Sequence, residues 1–192
     1  MTTGIKIPLH ALNESMIKDL KEKYPEAEIS VELHQDRNKA PMSDAYFWEI
    51  ISLLDWSKAD DDEAVVEPAK ARLASGVIRH IFEFADLLSE KLYAIDSRKY
   101  ALHIGEDSWS PDQYFSVDNF LYARCCVVAN GKEAYEKVLN DPAQMPKDLT
   151  FEALLYIPSE AYELKTGKRY DYTPSYPIET YSNQIGWAEE TE

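Results

Sequence analysis

The sequence predicts a mainly α protein: a single helical domain of about six helices, with a small strand–helix–strand (β-α-β) element at residues 1–40. Three observations carry this. From about Pro41 onward apolar residues recur at steps of three and four, as on the buried face of a helix. Serines stand immediately before several of these stretches, where they act as helix caps. Ahead of them, two short segments alternate apolar and polar, as half-buried strands do. The chain has 192 residues, 45% of them apolar, enough for one core of usual size plus an appendage.

In the N-terminal piece, Ile5-Lys6-Ile7-Pro8-Leu9 alternates. Asn13 or Ser15 caps a helix to about Tyr24 with Leu12, Met16, Ile17 and Leu20 on one face, and Pro25 stops it. Ala27, Ile29, Val31 and Leu33 then line one side of a second strand, and charged residues 35–40 read as a linker. Two strands and a helix bury little alone, so this piece is expected to dock on the main domain or pair with a second copy, giving a homodimer through residues 1–40 by edge pairing.

In the helical domain, residues 41–192, Ser43 caps a helix over 44–54 with Phe47, Ile50, Ile51 and Leu54 inward. Asp60-Asp61-Asp62-Glu63 reads as an acidic loop. Glu67-Pro68 places proline in the first turn of a helix, or at a kink, ending near Gly76. The widest stripe, Ile78, Ile81, Phe82, Ala85, Leu88, Leu92 and Ile95, marks a central helix. A short helical turn at 100–104 precedes an exposed loop over 106–115 that carries Trp109, Tyr114 and Phe115. Ser116 caps a helix over 117–129, closed by Asn130-Gly131. Another helix covers 132–139, ended by Asn140-Asp141-Pro142. The last, over 151–165, is interrupted by Pro158, which is expected to bend its axis. The tail holds Tyr170, Tyr172, Tyr176, Tyr181, Pro174 and Pro177 without helical periodicity. Aromatics at that density are expected to lie over the helical body.

The chemistry-bearing signatures are absent. The six glycines are scattered, which excludes a P-loop and a dinucleotide fingerprint. There is no Gly-x-Ser-x-Gly, His-Glu-x-x-His or Cys-x-x-Cys. Cys125 and Cys126 are adjacent, cannot form a relaxed disulfide, and are read as buried apolar fillers. His80, Glu83 and Asp86 share a helix face, but solvation explains their spacing better than a metal. No metal or cofactor is expected. The chain shows no secretory start and no apolar run long enough to span a membrane, so it reads as cytoplasmic.

From Ser43 to about Gly186 the chain resembles a bacterial family catalogued as domain of unknown function 4240. The resemblance rests on ordered blocks: Asp44-x-x-Phe47-Trp48; Ser116-x-Asp118-x-Phe120-x-x-x-Arg124, running into Ala129-Asn130-Gly131; Lys132-Glu133-Ala134-Tyr135-Glu136-Lys137-Val138-Leu139-x-Asp141-Pro142; and Phe151-Glu152-x-Leu154-Leu155-Tyr156, leading to Ala161-Tyr162 and Thr166-Gly167. Cys126 stands where the family is expected to carry a tryptophan. The resemblance implies an all-helical body and no established activity.

Two sets of residues are candidates for function. Arg124 follows Phe120 on a face that should be inward, and a buried guanidinium needs partners. Asp118, Glu152 and Tyr156 are the expected ones, either as a polar network fastening two helices or as a pocket receiving an anion. The second set follows from charge. The chain carries 35 acidic and 20 basic side chains, a formal −15. Residues 1–40 hold 7 acids and 6 bases, and the rest holds 28 and 14, so the helical body is the acidic part. This argues against nucleic acid as a ligand and suits a basic protein. Acids cluster at 60–63 with Glu67, at Glu106, Asp107 and Asp112, and at Glu189, Glu190 and Glu192. Trp109 and Tyr114 beside the second cluster supply aromatic anchors for a contact surface. The expected function is thus a non-enzymatic interaction protein, immunity-like, binding a basic partner. The alternative is a small-molecule or anion binder, or an enzyme, built around Arg124.

Overall fold

The structure, a computed structural model, describes residues 14–25 and 41–188. The chain falls into two units, Met1–Lys39 and Ala40–Glu192. In the first, α1 (Glu14–Lys23) forms where the helix was expected. Lys21 and Lys23 lie in its last turn, at the carbonyl end of the helix dipole. The strands expected at 5–9 and 27–33 lie outside the described residues, as do Glu189, Glu190 and Glu192.

The second unit is all-helical among the described residues. It contains α2 (Asp44–Ile51), α3 (Asp62–Ser75), α4 (Ile78–Ala94), α5 (Arg98–Ala101), α6 (Val117–Ala129), α7 (Lys132–Asn140), α8 (Ile157–Thr166) and α9 (Gln184–Trp187). Six of these have eight residues or more, and three short 3-10 turns lie between helices. Helix α4 is central, packing on α2, α3, α6 and α8. Its Ile81, Phe84, Ala85, Leu88 and Leu92 are buried, whereas Ile78 at its first turn is exposed.

Two proline-based expectations are corrected. The acidic stretch is not a loop, and of the two placements of Pro68 the first turn of a helix is not the one found. The stretch is the helix start: Asp61 caps α3, its carboxylate accepting from the Ala64 amide at 3.1 Å. Asp62 and Glu63 occupy the first turn, where negative charge is favoured by the free amides. Pro68 therefore sits inside α3 and leaves the Ala64 carbonyl without its usual amide donor. Pro158, conversely, bends nothing. Residues Glu152–Tyr156 form a 3-10 turn, and α8 begins afresh at Ile157 with proline in its first turn, where no amide is needed.

The tail crosses α4 as a strap. Tyr172 packs on Phe82 with ring centroids 4.6 Å apart, and Tyr176 packs on Tyr93 at 5.3 Å. Asp86 receives the Tyr172 hydroxyl, the Ser175 amide and the Ser175 hydroxyl, each at 2.8 Å. The strap ends in α9, a helix too short for periodicity to reveal.

Candidate functional site

Arg124 is fully buried, the largest such side chain in the molecule's described core. Its Nη1 donates to the Leu92 carbonyl at 3.0 Å, and its Nη2 to the Ile178 carbonyl at 3.0 Å and Thr180 Oγ1 at 3.1 Å. Phe120 lies under the guanidinium at 4.9 Å. The carboxylate facing it is Asp96, at 3.9 Å and equally buried. Asp96 in turn accepts from the Trp187 indole at 2.9 Å and the Asn183 amide at 3.0 Å. Burial pulls the Arg124 pKa below its ordinary value, and the Asp96 charge opposes that pull. The arrangement is a clasp: Arg124, anchored on the Leu92 carbonyl, and Asp96 hold the strap on the body.

Asp118, Glu152 and Tyr156, the partners expected for Arg124, lie elsewhere. At 100° per residue, six residues turn Asp118 about 120° around α6 from Arg124. They belong instead to an outer acidic face. Glu152 accepts hydrogen bonds from both the Tyr122 and the Tyr156 hydroxyls. That bond to the carboxylate pushes the Tyr122 phenol up to about 12 and raises the Tyr156 phenol too.

The same face takes in part of the 106–115 loop. Asp148 donates its amide to the Ile104 carbonyl at 2.9 Å and accepts from the Glu106 amide at 2.6 Å. Gly105, at φ +103°, lets the chain pass under that carboxylate, where a side chain would collide with it. Asp107 accepts from the Asn119 side chain at 2.8 Å, tying the loop to the start of α6. The Phe151 amide closes on the Tyr122 carbonyl at 3.1 Å. Asp107, Asp118 and Glu152 thus lie along one side of α6, while Asp148 and the Glu106 backbone close the loop beside them, with Lys147 held at the neighbouring His103 carbonyl.

The aromatic residues of the loop divide. Tyr114 is 92% exposed, but Phe115 is buried against Phe120. Trp109 is half-buried, packed on the core with the Arg98 guanidinium 4.6 Å over its ring. It braces the loop, and Tyr114 is the exposed ring. Asp112 is exposed between them.

A second acidic place is an open cleft of about 260 Å³ between α3 and α8, lined by Glu63, Glu67, Lys70, Glu160, Glu163 and Leu164. Lys70 pairs there with Glu67 and with Glu160 at 3.2 Å, so half of its acids share a cation.

Among the described residues no group of three or more His, Cys, Asp or Glu side chains is arranged to hold a metal. Glu83 accepts from the Met42 amide and pairs with Arg79, His80 packs on Tyr46, and Asp86 anchors the strap. Cys125 is fully buried, which pushes its thiol up to about 12, out of the reactive range. No helix among the described residues is long and apolar enough to cross a membrane.

An all-helical body whose resemblance blocks meet in one core defines a small helical domain family. Residues 42–164 match the family described as protein of unknown function DUF4240, and the chain belongs to it. The match stops short of Gly186, so the strap lies beyond the matched residues. Neither the curated proteins nor the solved structures contain a match.

Proposed function

We propose that this chain is a non-enzymatic bacterial interaction protein of the immunity type, whose acidic face beside α6 docks a basic protein. The observation that supports it is that Asp107, Asp118 and Glu152 line one side of α6, with Glu152 bonded to the exposed Tyr156 and with exposed Tyr114 on the loop that carries Asp107. Negative charge on one side steers a basic partner into encounter, and exposed phenols supply contact area at low entropic cost. The competing reading, an anion site or catalytic centre at Arg124, would require a ligand to displace Thr180, the Ile178 carbonyl and Asp96 from the guanidinium.

The test is affinity capture from native lysate on the full chain and on Asp107→Lys/Asp118→Lys. A basic protein is expected that the wild type retains and the charge-reversed chain loses. Equal retention by both, or capture of no basic protein, sinks the proposal.

A further inference from the structure

The strap meets the start of α6, where the acidic face begins. Thr180 Oγ1 donates to the Val117 carbonyl at 2.7 Å, which sets the strap against the first residue of α6, next to Asp118. Phe115 packs on Tyr181 and Trp187, with centroids 6.4 and 6.0 Å away, so the residues flanking Phe115 border the strap as well. Around this buried aromatic junction the exposed apolar side chains are Tyr114 at 92%, Ile185 at 90%, Tyr181 at 45% and Val117 at 40%.

These are not loose. Tyr181 is held at φ +76°, a left-handed conformation that costs a non-glycine residue energy. Its amide is held by Asp96 at 3.3 Å, and its ring lies 4.4 Å from Trp187. Gly186 passes so close to Ser97 that a Cβ there would sit 2.5 Å from the serine side chain. Ile185 is therefore presented to solvent by a segment clamped on both sides of it. A preordered apolar patch loses little entropy when it binds.

We infer that the strap completes the docking surface, with Ile185, Tyr181, Tyr114 and Val117 forming an apolar contact patch whose acidic rim, Asp107 and Asp118, selects a basic protein with an apolar ridge between its Lys and Arg residues. This rests on the reading of the acidic face as a docking surface. The acids come from the body and half of the apolar patch from the strap. Charge complementarity decides the occupant: a second copy of this chain would bring acid against acid.

The probe is a displayed library of short Lys/Arg-rich peptides, randomised between the basic positions and selected on the full chain. The expected winners carry aliphatic or aromatic residues at those positions. Ile185→Asp and Tyr114→Ala, both at sites too exposed to unsettle the fold, each weaken them about tenfold. Leu164→Asp, an exposed apolar site elsewhere, leaves them unchanged, and Asp107→Lys/Asp118→Lys abolishes them. Winners without apolar preference, indifferent to Ile185→Asp yet lost on charge reversal, overturn the strap's role and leave the acidic-face reading standing. No enrichment, or enrichment blind to charge reversal, overturns both. A wild-type dimer in sedimentation that Ile185→Asp dissociates assigns the patch to a second copy and overturns the inference.

Discussion

Asp96 and Arg124 set the terms at the scale of single residues. Both are fully buried, and each is satisfied mainly by strap groups, so removing one leaves the other's charge buried without its counterpart. Breaking such a pair costs about 3–5 kcal/mol. Arg124→Met should therefore lower the urea midpoint strongly, and adding Asp96→Leu should lower it further, because it orphans the Trp187 indole and the Asn183 and Tyr181 amides; a midpoint unmoved by Arg124→Met contradicts the clasp. A second residue-scale device lies at Asp44, which pairs with Lys91 at 2.7 Å beneath the Trp48 indole. Burial pushes the Asp44 carboxyl up, but the Lys91 bond and charge outweigh it, so its pKa stays below the usual carboxylate value. A depressed folded pKa adds stability above the unfolded value and loses it as pH falls through the folded one. Asp44→Asn should flatten the acid limb of the stability–pH curve and leave the shape near neutrality unchanged. That buried Arg124 would need partners was legible in the sequence. Which partners was not, because Asp96 and Thr180 meet it through tertiary folding. The 120° offset of Asp118 was readable from helix geometry alone.

At the scale of elements, prolines and caps separate the helices that formed as expected from those that did not. Apolar periodicity located α2 and α4, whereas α6, buried nearly all round from Ala123 to Ala129, was legible from its Ser116 cap and Asn130-Gly131 end, and α7 from its Asn140-Asp141-Pro142 stop. Periodicity missed the start of α3 because its first turn is acidic, and acids there answer to the helix dipole, not to the core. Pro68 inside α3 and Pro158 at the start of α8 make opposite predictions. Pro68→Ala restores an amide donor for the Ala64 carbonyl and should raise the melting temperature. Pro158→Ala replaces nothing lost and should change stability by less than about 1 kcal/mol. A reversed order of the two effects would refute these placements. The strap gives a further element-scale test. Asp86→Ala removes three hydrogen bonds to Tyr172 and Ser175, so hydrogen exchange should speed up over 170–187 while α4 stays protected.

For the whole molecule, the sequence's acidic excess resolves into two different uses. Around α3 and α8 the acids are partly neutralised by Lys70 and serve the helix start; beside α6 they stand together with exposed phenols. Composition alone could not divide the two, since both clusters look alike as strings of Asp and Glu. Loop closure between residues 104–107 and 148–152, far apart in the chain, is what assembles the second. The most direct measurement is hydrogen exchange on the full chain with and without the captured basic protein. New protection is expected over residues 104–122, 148–156 and 178–187. Protection confined to α3 and α8, or none at all, contradicts the docking face.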